Sequence, residues 1–301
     1  MLFGPTAVGK SELLLSLLDS RFEVISADSL QVYRHMEVGT AKPSAADRAS
    51  IPYHLVDVAD PSEQFSAGRF VTEAEALVPA VWGRGRIPLI AGGTAFYITS
   101  LLYGLPEAPP VDSMTRERLR LMERQQGREA LYRMLEERDP QAAARIQRND
   151  RYRVMRALEV IQTTGRSLFS FRWPRSPRTD MRFLVIGLER PREEVYRRID
   201  ARVRAMFAAG LVDEVKGLLA MGYGPSDPGM RGIGYRELLD MRVGCETLAE
   251  VRDRIARDTR RYAKRQLTFF RRVPDVVWMN PDQPSAVRAR IEAFIACASL
   301  A

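Results

Sequence analysis

Short apolar runs and amphipathic stretches alternate over the first hundred residues. The runs at 1–3, 22–27 and 87–91 are rich in apolar and β-branched residues, which is typical of buried strands. Glycine-rich or polar stretches follow these runs, and apolar residues recur at helical spacing over 11–18 and 96–102. Strand, loop and helix in repeated succession predict an α/β fold, with an open parallel sheet flanked by helices.

Three candidate functional segments come directly after these strands. They are the glycine-rich loop at 4–11, Asp28, and Thr94 preceded by two glycines. Ligands of open parallel sheets bind beyond the carboxyl ends of the strands. We therefore expect these chain-distant residues to share one crevice.

The composition changes near residue 113. From 113 to 164 the chain is rich in Arg, Glu and Leu at helical spacing, and a strand pattern returns at 183–188. Long amphipathic segments follow at 192–221 and 247–272. The predicted division is a first part of the core at 1–112, an all-helical insertion at 113–180, and a resumed core with basic C-terminal helices at 181–301.

Charge and cysteine content narrow the class of protein. The 301 residues include 46 Lys and Arg against 38 Asp and Glu, and the formal net charge of +8 suggests a phosphate-rich partner such as nucleic acid. Two cysteines without CxxC spacing and two histidines support neither a zinc site nor a disulfide framework. No apolar run has the length of a membrane span and no signal peptide is recognisable, so we expect a cytoplasmic protein that binds no membrane. Nothing in the sequence requires a dimer, and a monomer is expected.

The segment GPTAVGKS at 4–11 matches the phosphate-binding P-loop pattern in full. A predicted strand precedes it and a predicted helix follows it, which is the context that the motif requires. Backbone N–H groups of such a loop face a diphosphate, Lys10 adds a positive charge, and Ser11 can bind Mg²⁺. The motif indicates diphosphate binding without distinguishing ATP, GTP or another diphosphate.

Asp28 and Thr94 each admit more than one role. Asp28 could order water around Mg²⁺ as in P-loop kinases, act as a general base, or close a turn as a helix N-cap. Thr94 could donate a hydrogen bond to a phosphate or substrate, or only cap a helix. The residues alone leave these alternatives open.

Arginines cluster on three predicted helices. Arg198 and Arg202 lie one helical turn apart, opposite an apolar face, so their guanidinium groups can project together towards a ligand or only be solvated. Two further clusters, at 151–156 and 257–272, suit contacts with nucleic acid phosphates.

The basic helices also carry aromatic residues. On the C-terminal helix an apolar stripe is predicted at Val251, Ile255, Tyr262 and Phe269. Phe269 could pack in the core or stack on an unpaired base, and the same alternatives hold for Tyr152.

Together these motifs resemble one family, the tRNA dimethylallyltransferases, also called tRNA isopentenyltransferases. The joint occurrence of DSLQVY, GGT and AKRQ is more specific than the P-loop alone. The matching segments follow one another over nearly the whole chain: GPTAVGKS (4–11), ISADSLQVYRHMEVGTAKP (25–43), HLVDV (54–58), IAGGTAFY (90–97), NDRYRVMRALEV (149–160), RIDARV (198–203), IGYRE (233–237) and AKRQLTFFRR (263–272).

The resemblance implies a Mg²⁺-dependent prenyl transfer. The substrates would be dimethylallyl diphosphate and tRNA, the acceptor would be N6 of the adenosine immediately 3′ of the anticodon, and no ATP need be hydrolysed. The implied catalytic residues are Asp28, as the base that takes the N6 proton, and Thr94 at the reaction centre. The implied diphosphate-binding residues are Gly4, Thr6, Ala7, Val8, Gly9, Lys10, Ser11 and Arg202, with Ser11 also binding the metal.

An interface with the tRNA anticodon stem-loop is implied as well. An adenine stacked within that loop must be extruded to react, and we expect a channel for it between the core and the insertion. The implied tRNA-binding residues are Asp28, Ser29, Leu30, Gln31, Tyr152, Arg153, Arg156, Arg231, Gly234, Arg236, Lys264, Arg265, Gln266, Phe269 and Arg271. Phe269 stands where the family usually has Trp, which keeps an aromatic ring at that position.

Three other classes of protein compete with this interpretation. A small P-loop kinase using ATP would explain the glycine loop and Asp28 but not the basic helices. An adenylate isopentenyltransferase would not need the insertion. A non-enzymatic RNA-binding module would not need a complete P-loop with Asp28 in register.

Overall fold

A sheet of parallel strands forms the centre of the fold. The structure is a computed structural model that describes residues 1–108, 112–174, 176–242 and 244–298. The strands in these residues are β1 (Leu2–Phe3), β2 (Phe22–Ala27), β3 (Tyr53–His54), β4 (Ile87–Gly92), β5 (Ile186–Leu188) and β6 (Val277–Met279). Their spatial order is β3-β2-β4-β1-β5-β6 with every pairing parallel, which confirms the predicted α/β class.

The strand β1 is short but lies inside the sheet. Leu2 pairs with Ala91 of β4 on one side and with Ile186 of β5 on the other. Leu2 and Phe3 both have 0% of their surface exposed. A parallel strand between two neighbours is covered on both faces, so these two apolar residues can form a central strand.

Two of the predicted strands, β2 and β4, match their apolar runs closely. The run at 183–188 becomes a strand only from Ile186 onwards. The sequence did not predict β3 and β6, because two and three residues are too few for a recognisable alternation. In β3, the His54 ring lies 2.6 Å from a carboxylate oxygen of Glu23, so this histidine is paired with the neighbouring strand β2.

Helices connect the strands and flank the sheet. They are α1 (Lys10–Leu17), α2 (Ala45–Ser50), α3 (Ala67–Gly83), α4 (Ala95–Tyr103), α5 (Ser113–Gln126), α6 (Arg128–Arg138), α7 (Pro140–Ala143), α8 (Arg151–Thr164), α9 (Arg192–Ala208), α10 (Leu211–Ala220), α11 (Tyr235–Leu239), α12 (Leu248–Phe270) and α13 (Pro284–Ala298). The segment predicted as one stretch at 192–221 is two helices, because Gly210 between them has a φ of 96°, outside the helical region. Within the described residues, no helix combines the length and the apolar character needed to cross a membrane.

Each face of the sheet has its own core. Successive strand residues point to opposite faces, so Leu2 and Phe3 face different layers. Leu2 joins a buried cluster with Leu13 of α1 and Val287 of α13. Phe3, on the other face, stacks on Phe270 of α12. The strand that leads into the P-loop is therefore held between two helical layers.

The chain divides into two compact units. One contains 1–102 and 179–301, and the other contains 103–178. The predicted boundaries were 113 and 180, and the functions assigned to the segments stay predictions. Within 103–178 the described secondary structure is helical, with a core that includes Leu119, Leu135 and Leu158.

Candidate active site

The P-loop follows β1 and turns into α1. Gly9 has a positive φ of 110°, which glycine adopts without strain, and Ala7 lies in the left-handed region with a φ of 63°. A Cβ atom at Gly4 would lie 2.8 Å from the carbonyl oxygen of Leu188, so the approach of the loop to β5 requires glycine there. The sequence therefore folds this segment as the motif predicts.

Two arginines bind the carbonyl groups of the P-loop. The Arg190 Nε donates to the Val8 oxygen at 2.7 Å, and the Arg198 Nε donates to the Ala7 oxygen at 2.9 Å. Arg198 also pairs with Glu12 at the start of α1. These arginines restrain the loop without occupying the N–H groups that a phosphate would need. Arg190 was not identified from the sequence, although its position two residues after β5 is a usable signal.

Lys10 lies at the centre of the loop. Its Nζ donates to the carbonyl oxygens of Gly4 and Pro5, both at 2.9 Å. Burial lowers the pKa of Lys10 to about 8, while the nearby Asp28 raises it and the nearby Arg202 lowers it. The structure thus brings Lys10 and Asp28 together, as the sequence predicted for the edge of the sheet, and places Arg202, which only the resemblance had implied, beside them.

Arg202 reaches the site from α9. Burial lowers the pKa of its guanidinium, and the charges of Asp28 and Glu12 oppose that shift. Its Nη2 lies 3.4 Å from the carbonyl oxygen of Thr40. A half-buried cation next to the P-loop is well placed to bind an anion, because partial burial reduces the screening of its charge by water.

Asp28 both closes a turn and offers a carboxylate oxygen. Its Oδ1 accepts hydrogen bonds from the N–H groups of Leu30 at 2.9 Å and Gln31 at 3.3 Å. Its Oδ2 makes no hydrogen bond with the residues that the structure describes. The turn-closing role considered above therefore applies to one oxygen and leaves the other for chemistry.

Thr94 connects two loops at the sheet edge. Its Oγ1 accepts from the Ser29 N–H at 2.9 Å and donates to the Ser29 Oγ at 3.2 Å. The preceding Gly92 is required by close packing, because a Cβ atom there would lie 2.2 Å from the Ala27 oxygen. The loop after β4 is thus fixed to the loop that carries Asp28.

Gln266 of α12 is buried and joins the P-loop to the loop after β4. Its Oε1 accepts from the Thr6 N–H at 2.9 Å, and its Nε2 donates to the Gly93 oxygen at 2.6 Å. The resemblance placed this residue at the tRNA. In the structure its amide lies between two loops of the site.

Tyr262, one helical turn before Gln266, also belongs to the site. Burial and the charge of Asp28 raise the pKa of its hydroxyl to about 12, while Arg265 and hydrogen bonding with Gln266 and Thr94 oppose that shift. The sequence had placed Tyr262 in an apolar stripe. Its spacing of four residues from Gln266 was the signal that could have identified it.

The segment around Gly234 contacts the loops that follow Asp28. A Cβ atom at Gly232 would lie 2.8 Å from the Leu30 side chain, and one at Gly39 would lie 2.5 Å from the Tyr235 ring. Gly234 has a φ of 103° and its N–H donates to Glu237. Two of the segments that carried the resemblance, 25–43 and 233–237, therefore pack together.

The other predicted tRNA-binding residues in the unit formed by 1–102 and 179–301 differ in their surroundings. Gln31 is occupied internally, because its Nε2 donates to the carbonyl oxygens of Thr40 and Ala41. Arg231 and Arg236 are exposed, and Arg231 donates to the Ser226 oxygen.

The surface of α12 differs in one respect from the predicted stripe. Lys264 and Arg265 are exposed, and Arg271 just beyond the helix lies 3.7 Å from Glu189. Phe269 is 38% exposed, whereas Phe270 is fully buried. The prediction of Phe269 in the apolar stripe was therefore wrong, and its ring is accessible.

The predicted residues of the helical unit lie on α8. Tyr152 is 48% exposed, and Arg153 is exposed and pairs with Asp150 at 3.4 Å. Arg156 lies 3.5 Å from the buried carboxylate of Glu159. Arg156 is thus paired within its own unit.

A P-loop at the carboxyl edge of a parallel sheet, with two half-buried cations and a carboxylate beside it, defines an α/β P-loop protein. A family model described as IPP transferase matches residues 31–273. The chain belongs to this family.

Relatives and solved structures agree with the assignment. A tRNA dimethylallyltransferase of Syntrophobacter fumaroxidans is 43% identical over 292 residues, covering 96% of this chain and 85% of the relative. The tRNA isopentenylpyrophosphate transferase of Bacillus halodurans superposes with a TM-score of 0.69 at 37% identity, covering 97% of this chain and 94% of that one. A eukaryotic dimethylallyltransferase whose structures are described as acting on tRNA superposes with a TM-score of 0.76 at 27% identity, covering 98% and 78%.

Proposed function

We propose that the protein transfers a dimethylallyl group from dimethylallyl diphosphate to N6 of the adenosine immediately 3′ of the anticodon of tRNA. The observation that carries this proposal is the Asp28 carboxylate, with one oxygen left by the fold, beside Lys10 and Arg202 at the P-loop. A leaving-group site and a proton acceptor are the two elements that the reaction needs. Family membership supports the same choice of substrates.

In the proposed reaction the allylic C–O bond of the diphosphate breaks and a bond forms between N6 and that carbon. Negative charge develops on the departing diphosphate, and the P-loop amides, Lys10 and Arg202 stabilise it. N6 loses one proton, which passes to the Oδ2 of Asp28. Thr94 fixes the loop that carries Asp28 through its two hydrogen bonds to Ser29.

The residues present fit a Mg²⁺ ion that is held chiefly by the substrate. Among the described residues, no group of three or more His, Cys, Asp or Glu side chains could hold a metal. Mg²⁺ commonly binds through few protein ligands together with substrate phosphates and water. The exposed hydroxyl of Ser11, at the start of α1, would supply the protein ligand. When bound, the ion would neutralise charge on the diphosphate.

Binding of tRNA is supported by the distribution of charge. Residues 103–178 contain sixteen Arg against ten Asp and Glu, so this quarter of the chain holds most of the net positive charge. Exposed Arg153 and Tyr152 on α8, and exposed Lys264, Arg265 and Phe269 on α12, supply cations for phosphates and rings for unpaired bases.

We further propose a cytoplasmic monomer. A tRNA substrate favours the cytoplasm. The P-loop, Asp28, Thr94 and Arg202 all come from one chain, so one copy can supply the whole site. A small P-loop kinase is not favoured, because the relatives matched over most of their length are named as dimethylallyltransferases.

The proposal is tested with labelled substrates. The protein is incubated with Mg²⁺, unmodified tRNA and dimethylallyl diphosphate labelled in the prenyl group, and in parallel with γ-labelled ATP. We expect prenyl label in tRNA at the adenosine 3′ of the anticodon, and no transfer from ATP. Transfer of phosphate from ATP without prenyl label in tRNA would favour the kinase.

A further inference from the structure

The Gln266 side chain joins three parts of the site that are far apart in sequence. It projects from α12 and is only 5% exposed. One end of its amide accepts from the Thr6 N–H in the P-loop, and the other donates to the Gly93 carbonyl after β4. Both functional groups of the side chain are therefore used between the two loops.

Only a carboxamide of this length satisfies both neighbours. Thr6 offers a donor and Gly93 offers an acceptor, so the side chain between them must accept at one end and donate at the other. An ionised glutamate accepts at both ends and would leave the Gly93 carbonyl facing a negative charge. The fit is also tight, because a Cβ atom at Gly93 would lie 2.7 Å from the Gln266 Nε2.

The same two turns of α12 carry the exposed side chains proposed to contact tRNA. Lys264 and Arg265 directly precede Gln266, and Phe269 follows it by three residues. A helix is stiff over this distance, so its outer face and Gln266 move together. A shift of the outer face therefore changes the hydrogen bond to Thr6.

We infer that Gln266 is a positioning residue that couples the basic face of α12 to the diphosphate loop. The two hydrogen bonds of Gln266, to Thr6 and to Gly93, are called the clamp. When tRNA holds α12 in place, the clamp holds Thr6 in position and the diphosphate binds more tightly. By thermodynamic linkage, the diphosphate must then tighten tRNA binding by the same factor. The identity of the two ligands rests on the proposed function.

The first experiment measures binding of inorganic diphosphate with Mg²⁺ by calorimetry, in the absence and presence of tRNA. For the unmodified protein we expect tRNA to tighten diphosphate binding severalfold. Gln266→Met keeps the volume and removes the hydrogen bonds to Thr6 and Gly93 together with that to Tyr262. It should weaken diphosphate binding about tenfold and abolish the effect of tRNA. Thr268→Val, an exposed change on the same helix, should leave both quantities unchanged.

The second experiment perturbs the clamp from its other side. Gly93→Ala should displace the flexible end of Gln266, because the added methyl group meets Nε2 and no backbone atom closer than 3.5 Å. We expect it to weaken diphosphate binding in the unmodified background and to have little further effect combined with Gln266→Ala, which removes the clashing atoms. This variant also tests the inference if Gln266→Met does not fold.

The outcomes separate this inference from the proposed function. If the unmodified protein transfers the prenyl group and binds diphosphate, but folded Gln266→Met or Gly93→Ala binds it equally well with the same response to tRNA, the inference is wrong. Additive losses in Gly93→Ala with Gln266→Ala would also contradict it. Failure of the unmodified protein to bind diphosphate would overturn the proposed function and this inference with it.

Discussion

Phe270 stacks on Phe3 with ring centroids 4.2 Å apart and planes inclined by 17°. Both rings are fully buried, so the last turn of α12 is fixed to the strand that leads into the P-loop. The neighbouring Phe269 lies on the outside of the same helix. The two adjacent phenylalanines therefore lie in different environments: Phe270 is in the core and Phe269 is at the surface.

This difference predicts that two matched substitutions affect different properties, one the free energy of unfolding and the other tRNA binding. Phe270→Ala should lower the free energy of unfolding by about 3–5 kcal/mol, because it leaves a cavity against Phe3. Phe269→Ala should change it by less than about 1 kcal/mol but weaken tRNA binding, since a ring available for stacking is lost. Urea unfolding and tRNA titration measure the two effects. The assignment fails if Phe269→Ala is the more destabilising change.

The position of Phe270 also shows where the sequence pattern was insufficient. Phe269 has the same helical angle as Val251, about five turns earlier, so periodicity alone selects it for the buried stripe. The surroundings of the 23-residue helix change along its length, however. Most of the helix packs against α9 and α11, whereas its last turn packs against Phe3. The residue that makes this contact, Phe270, lies about 100° around the helix axis from Phe269. An apolar stripe predicted from helical spacing assumes that the same face of the helix is buried along its whole length.

The candidate site was predictable to a different extent. The P-loop, Asp28 and Thr94 follow strands directly, and the topology of a parallel sheet brings such residues to one edge. Arg190 and Tyr262 act through contacts with segments far away in sequence, so their local signals, a position after β5 and a four-residue spacing from Gln266, do not show what they contact. Gln266 was identified by resemblance, but only the structure shows that its side chain is buried between loops.

Asp28 provides a direct test of the chemistry. Asp28→Asn keeps an oxygen for the N–H groups of Leu30 and Gln31, so the turn should be preserved. It removes the proton acceptor, and turnover should fall by about 10²–10⁴-fold. Affinity for tRNA, measured by filter binding, should change less than about threefold. Equal losses in turnover and tRNA affinity would remove Asp28 from the role of base.

Lys10 predicts a pH dependence of diphosphate binding. Burial lowers its pKa to about 8 in the free protein, so above pH 8 the side chain increasingly loses its charge. A bound diphosphate favours the charged form, and binding must then recover a proton. The affinity of the protein should therefore fall as pH rises above about 8, by up to about tenfold per pH unit.

The matched control for this effect is Lys10→Met. The variant should bind diphosphate more weakly at pH 7 and lack the additional decline between pH 8 and pH 9. Diphosphate affinity is measured by calorimetry for both proteins at each pH. The ionisation of diphosphate affects both proteins equally, so the difference between their affinities reports on Lys10. Parallel pH profiles for the two proteins would show that another group is responsible.

The exposed face of α12 predicts a change in salt dependence. Each phosphate contact made by a cation contributes about 0.7–0.9 to the slope of log affinity against log salt concentration. Lys264→Ala should therefore reduce the slope for tRNA binding by nearly one and weaken binding most at low salt. Arg290→Ala removes an exposed cation from α13 and should leave the slope unchanged, which separates a contact from a general loss of charge. If both variants shift the slope equally, α12 is not a specific tRNA surface and the positive charge of the protein acts only as a diffuse field.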